Sequence, residues 1–353
     1  MTRLKTNHAE VHAVPEDRSA TLSHPSPGES PSAVSPWVGL RSRFLDVRDA
    51  GEQVRIFDLS ARAAQTLHRW AARYPLIRRV RVWPLALSVS AAAPFASVEA
   101  LISTARLSLW VFTLDDLFDE ERVPRAELMR RAERYRAIAA NQLSNVPNDS
   151  LAAALCEIRD DLARYPLFEK LGPVWAEALC GTIDGMLREY QWRTMYRRDG
   201  AAALPTYEEY VATGLYSIGG PPHVWSAVIT AGDMTSTEQL PHLRTMEQVA
   251  STCIRLANDL RSYQKEIVEG KINALVLLSR QYHQGGPRMQ EAYAHAEARV
   301  RADIGRGLAQ LDQLQAAAKT QTGRPEAAIA DIARFVCDFY TEHDYHTFAA
   351  QTR

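Results

Sequence analysis

From residue 96 to residue 119 the chain carries neither proline nor glycine, and its large apolar residues (Leu101, Ile102, Leu109, Trp110, Val111, Phe112) cluster without strand-like alternation. That run predicts a long helix over 95–119. A helix this apolar is stable only when packed against others, and the remaining chain offers them. Helical spacing recurs over 56–74, 125–143, 149–165, 171–196, 206–217, 225–231, 239–269, 272–284, 289–318 and 325–345. A short apolar piece, 76–83, lies between Pro75 and Pro84. Alternating patterns bounded by turn signals are essentially missing. The expected fold class is all-α, one helical bundle spanning 36–353 behind a Pro/Ser-rich, disordered tail over 1–35. The tail composition offers too few large apolar residues to offset the entropy of ordering.

The long helix ends in Asp115-Asp116-Leu117-Phe118-Asp119. At 3.6 residues per turn, Asp115 and Asp119 share a face about 6 Å apart along the axis, with Asp116 about 100° round. Like charges at that spacing repel, and the negative end of the helix dipole adds to the cost. A hard divalent cation such as Mg²⁺ or Mn²⁺ removes both penalties; a solvated acidic helix end is the plainer alternative. The run from 239 to 269 carries a second polar stripe, Asn258, Ser262 and Glu266, in an otherwise apolar helix. Their i, i+4, i+8 spacing lines up an amide, a hydroxyl and a carboxylate over about 12 Å, a hard-cation donor set. Lys265 stands beside Glu266, placed to meet an anion bridged by the same metal.

Together the two stretches resemble the aspartate-rich motif and the downstream Asn-Asp-x-x-Ser-x-x-x-Glu motif of bacterial class I terpene synthases. The resemblance covers about residues 36–348. It implies a helical bundle with a central apolar cavity and Mg²⁺ (or Mn²⁺) held by Asp115, Asp116 and Asp119 on one wall and Asn258, Ser262 and Glu266 on the other. Catalytic weight then falls on Asp115, Asp119 and Glu266, with Lys265 pairing with the diphosphate of a prenyl substrate. An antiparallel homodimer would also fit the family. Pocket candidates are Leu107, Ser108 and Val111, before Asp115, and Ile254, before Asn258. Ile218 and Gly219 join them from Ser217-Ile218-Gly219-Gly220-Pro221-Pro222, where a helix must break and leave carbonyls without helical partners. An ordinary inter-helix loop explains that stretch equally well. Trp110, Phe112, Phe118, Trp225 and Tyr345 could offer ring faces to a cation, with core packing the simpler role for each.

The chain departs from the common bacterial pattern in two places. Where many sesquiterpene cyclases carry an arginine before the helix break, this chain has Gly214; where they end on an Arg-Tyr pair, it has Asp344-Tyr345. Tyr345 can keep the tyrosine's diphosphate contact, and Arg255, Arg261 or Arg188 can supply the missing charge. The absence of both arginines is similar to the branch that takes labdane-type, already cyclised diphosphates, and the 217–221 segment is similar to kaurene- and pimaradiene-type enzymes. A second aspartate-rich motif, expected of a chain-elongating prenyltransferase, is missing. So is the Asp-x-Asp-Asp acid of protonation-initiated cyclases, since 157–161 does not match it. The expectation is a diterpene synthase using a copalyl-like or geranylgeranyl diphosphate. A sesquiterpene cyclase using farnesyl diphosphate and a non-catalytic metal-binding scaffold are the alternatives.

Composition narrows the partners. The formal net charge is -1 and the basic clusters (78–81, 130–131, 197–198) are short and lack interleaved aromatics, so nucleic acid is not expected. No apolar run is long enough to span a membrane, and no apolar leader opens the chain. The four cysteines are scattered through apolar helical stretches, which fits reduced core residues of a cytoplasmic protein.

Overall fold

A computed structural model describes residues 42–119, 123–144, 146–283 and 288–345, all within one unit, Gly39–Arg353. The tail expected over 1–35 lies outside the described residues. Among these residues there are α-helices, three short 3₁₀ turns and no strand, so the all-α expectation holds. In order the helices are α1 (Arg43–Asp46), α2 (Ala50–Ala71), α3 (Val82–Ala92), α4 (Val98–Asp119), α5 (Arg125–Ala139), α6 (Ser150–Leu162) and α7 (Phe168–Asp199). There follow α8 (Tyr207–Ser217), α9 (Gly220–Ala231), α10 (Leu240–Glu269), α11 (Ala274–His283), α12 (Met289–Ala316) and α13 (Arg324–Glu342).

Helix ends follow local chemistry. Asp49 and Asp149 cap α2 and α6 by accepting backbone N–H groups, and Thr206 with Glu209 forms a capping box on α8. The main departure from the sequence reading is α3. Pro84 stands inside its first turn, where the missing N–H breaks no helical bond. Its residues are apolar on every side and buried, so no periodicity announces it.

α4 is the central staff. Its Trp110 is fully buried, donates Nε1–H to the Leu151 carbonyl at 2.8 Å and meets the Tyr135 ring edge-on at 5.3 Å. Burial of each such side chain stabilises the fold by roughly 1.5–3 kcal/mol. α10 packs against α13, α12 and α8, α4 against α9 and α3, and α9 touches both α4 and α10. The cysteines are free thiols, three of them buried. No helix among the described residues is long and apolar enough to cross a membrane.

Candidate active site

Asp115 and Asp119 from α4 and Asn258, Ser262 and Glu266 from α10 all line one cavity, joined by Lys265 and Arg255. The two stripes, separated by more than a hundred residues of chain, therefore face a common space. Among the described residues no donor reaches the Asp115 carboxylate. Burial, followed by the charge of Asp119, pushes its pKa up to about 8. Burial likewise raises Glu266, whose Oε2 accepts from Asn273 Nδ2 at 2.8 Å. Asn273 also caps α11 through Leu275 N–H (2.9 Å) and donates to the Asp259 carbonyl (2.9 Å), which fixes it against α10. Ser262 donates its hydroxyl to the Asn258 carbonyl at 2.8 Å, leaving its oxygen free to accept or ligate. An uncompensated carboxylate facing an amide, a hydroxyl and a second carboxylate fits a hard divalent cation.

The three aspartates have different surroundings. Asp119 accepts from Arg193 Nη1 at 2.9 Å and Lys271 Nζ at 2.7 Å; burial pushes its pKa up, but these two cations outweigh burial and hold it below the usual carboxylate range. Asp116, expected beside Asp115 as a ligand, is clamped instead by Arg81, whose Nη1 and Nη2 reach its two oxygens at 2.8 Å each. Arg78 adds a third contact at 3.3 Å, and Asp116 is not part of the cavity lining. Its place about 100° round α4 turns it towards the segment before α3.

The basic residues of the site come mostly from outside the two motifs. Lys271 follows Gly270, whose left-handed conformation (φ +65°) ends α10 and lets Lys271 N–H bond the Glu266 carbonyl at 2.9 Å. Arg193 on α7 is buried, and its other arm reaches the Phe118 carbonyl. Arg255 is buried and held by Glu189 (3.1 Å), Asp259 (3.2 Å) and the Tyr210 hydroxyl. Its stem fills the space over Gly214, where an added Cβ would stand 2.9 Å from Arg255 Cγ and 3.2 Å from Nε. Of the other arginines considered, Arg188 is exposed against Trp192, and Arg261 lines a separate groove beside α12. Glu189, Arg193 and Lys271 were missed because nothing local in the sequence signals a partner so far along the chain.

Against this polar mouth lies an apolar cavity that shares Val111, Phe112, Ile218 and Tyr340 with it, so the two adjoin across these side chains. Of the sequence's pocket candidates, Ser108, Val111, Ile218, Gly219 and Ile254 line it. Leu107 does not: it stands about 80° round α4 from Asp115, against about 20° for Ser108, and is buried in the core. Tyr345 also departs from expectation. Its hydroxyl meets Ser88 Oγ at 2.6 Å and its ring packs on Phe339 (4.6 Å) and Phe112 (5.3 Å), so it walls the apolar cavity rather than the polar mouth. Trp110 and Trp225 are core residues, Phe118 borders the polar mouth, and Phe112 faces both cavities.

The break between α8 and α9 shapes this floor. Pro221 and Pro222 donate nothing, so the carbonyls of Ser217 and Ile218 receive no helical bond. Gly219 adopts φ +76°, and a Cβ there would overlap Val111 Cγ1 and stand 3.3 Å from Val111 Cβ. Only glycine satisfies both the turn and the contact.

Comparison with known proteins supplies the family. The family described as terpene synthase family 2, C-terminal metal binding, matches residues 106–306, more than half of the chain, and includes both polar stripes. Kaurene synthase like 2, chloroplastic, from Isodon rubescens is 29% identical over 205 residues, covering 53% of this chain and 26% of that protein. Ent-pimara-8(14),15-diene synthase from Oryza sativa subsp. japonica is 28% identical over 243 residues, covering 65% of this chain and 29% of that protein. The matched regions thus span under a third of these relatives' length. The crystal structure of 2-methylisoborneol synthase from Streptomyces coelicolor A3(2) shares the fold, with a TM-score of 0.63, 16% identity, and coverage of 81% of this chain and 89% of that one. The chain belongs to the terpene synthase family, through the metal-binding region of family 2.

Proposed function

We propose that this protein ionises a prenyl diphosphate and guides the resulting carbocation to a cyclic or eliminated terpene. The observation that carries the proposal is the junction of two environments: a mouth lined by metal-type oxygen donors and four cationic side chains, set directly against an apolar cavity. A prenyl diphosphate has the same division into a polyanionic head and a hydrocarbon chain.

Asp115, with Asn258, Ser262 and Glu266 opposite, would hold the divalent cations, and Asp119 would contribute its oxygens once the substrate draws Arg193 and Lys271 towards the phosphates. Asp116, locked on Arg81, positions the end of α4 rather than ligating. Bound Mg²⁺ or Mn²⁺ supplies neutralisation of the leaving group as the carbon–oxygen bond breaks. Lys265, Lys271, Arg193 and Arg255 bind the phosphate oxygens by charge-assisted hydrogen bonds. Arg255 offers from α10 the guanidinium that many sesquiterpene cyclases carry before the helix break, which accounts for glycine at 214 on α8: the arginine stem occupies that space. The cavity walls exclude water from the cation, and the unpartnered carbonyls at the α8–α9 break offer partial negative charge beside it.

The relatives named for kaurene and pimaradiene favour a diterpene substrate, either labdane-type or geranylgeranyl diphosphate. The test is incubation of the protein with Mg²⁺ and farnesyl, geranylgeranyl and copalyl-type diphosphates, with hydrocarbons read by mass spectrometry. A diterpene product is expected. A sesquiterpene from farnesyl diphosphate alone would reassign the substrate, and no product from any of the three would return the chain to a scaffold role.

A further inference from the structure

Among the described residues, one basic side chain lines the apolar cavity: His223, four residues after the left-handed Gly219. Its Nδ1 lies 2.7 Å from the Ser108 hydroxyl of α4, and among the described residues Nε2 has no hydrogen-bond partner. The ring is only partly enclosed by side chains, because it borders this cavity and a smaller one behind it. The carboxylates of the polar mouth do not line this space. The remaining polar side chains here are hydroxyls, and two of them, Ser88 and Tyr345, are bonded to each other.

Resting on the reading of function above, we propose that His223 is the base that ends the reaction, taking the proton whose loss converts the final carbocation to an alkene. The tautomer follows from the surroundings. An Nε2–H would have no acceptor among the described residues, whereas an Nδ1–H can donate to Ser108 Oγ. Nε2 therefore keeps a free lone pair, on a ring that lines the cavity. Burial lowers the His223 pKa to about 4, so the ring is neutral at physiological pH and able to accept.

The step balances without a further reactant. Nε2 bonds the proton on the carbon next to the cationic centre, and the electron pair of that carbon–hydrogen bond becomes the new double bond. The imidazolium, destabilised by burial, gives the proton to water or diphosphate as the products leave. The diphosphate site itself is untouched, so ionisation and termination can be read separately.

The test measures diphosphate release and alkene composition in parallel for the wild type, His223→Phe, His223→Ala and Ser108→Ala. Diphosphate release in His223→Phe is expected to stay within about threefold of wild type, while the principal alkene falls at least about tenfold relative to the other products, a smaller change than the roughly 100- to 10,000-fold a general base usually contributes. Ser108→Ala is expected to shift the products in the same direction by less. Added imidazole is expected to restore the native alkene in His223→Ala. Thiazole, a ring of similar shape and far weaker basicity, is expected not to. An unchanged product ratio in His223→Phe, or equal rescue by thiazole, overturns the assignment and leaves the ring a shape-filling role. Absence of diphosphate release by the wild type overturns the functional reading, and this inference with it.

Discussion

Gly219→Ala tests the tightest joint in the cavity floor. The substitution forces a residue with a side chain into φ +76°, which costs roughly 1–2 kcal/mol for an L-residue in the left-handed region. It also drives a methyl group into Val111 Cγ1, and overpacking of that kind costs typically about 1–3 kcal/mol. The single variant should therefore lose roughly 2–5 kcal/mol. Val111→Ala alone removes two methyl groups from a buried position and should cost about 1.5 kcal/mol. In the double variant the overlap with Cγ1 is gone and a tight 3.3 Å contact with Val111 Cβ remains, while the backbone strain persists. A double-mutant cycle by urea unfolding, followed by helical circular dichroism, should thus show a favourable coupling of about 1–3 kcal/mol. Additive losses would refute the argument that Val111 is what excludes a side chain at 219.

Three further outcomes follow from the ion pairs and the metal stripe. Arg255→Ala should destabilise the fold by about 3–5 kcal/mol, because it leaves the fully buried Asp259 without its cation; adding Asp259→Asn should recover part of the loss in the same unfolding assay. Asp233 accepts four hydrogen bonds from Thr235 and Thr322, which outweigh the upward push of burial and hold its pKa at about 2. Its folded pKa is thus depressed, so its contribution is fully present above the unfolded pKa near 3.8 and is lost as pH falls towards 2. The stability gap between wild type and Asp233→Asn should accordingly shrink by about half, from roughly 2 kcal/mol, between pH 6 and pH 3. Mg²⁺ should raise the thermal midpoint of the wild type and leave that of Asp115→Asn unmoved, since the variant lacks the carboxylate that the ion relieves.

Much of this site was legible in the sequence because helices convert spacing into direction. The i, i+4 and i, i+8 positions put Asp115, Asp119, Asn258, Ser262 and Glu266 on inward faces, and the proline pair marked the α8–α9 break. Hidden features depended on distances the pattern does not carry. Arg81 lay in a short basic cluster with no sign that it would meet Asp116, and Arg193 and Lys271 gave no sign of Asp119. Tyr345 lies three residues past the end of α13, where helical periodicity stops and its direction is set by Ser88 and Phe339. α3 escaped notice because a proline in a first turn and an evenly apolar helix both erase the usual boundary signals.

The most direct test of the account is release of inorganic diphosphate from a prenyl diphosphate substrate, compared for the wild type, Asp115→Ala and Asn258→Ala with Mg²⁺ and with EDTA. The account predicts release by the wild type only with Mg²⁺, and loss of at least about a hundredfold in each variant with helical content unchanged. Release that persists in EDTA, or full activity in either variant, would contradict it.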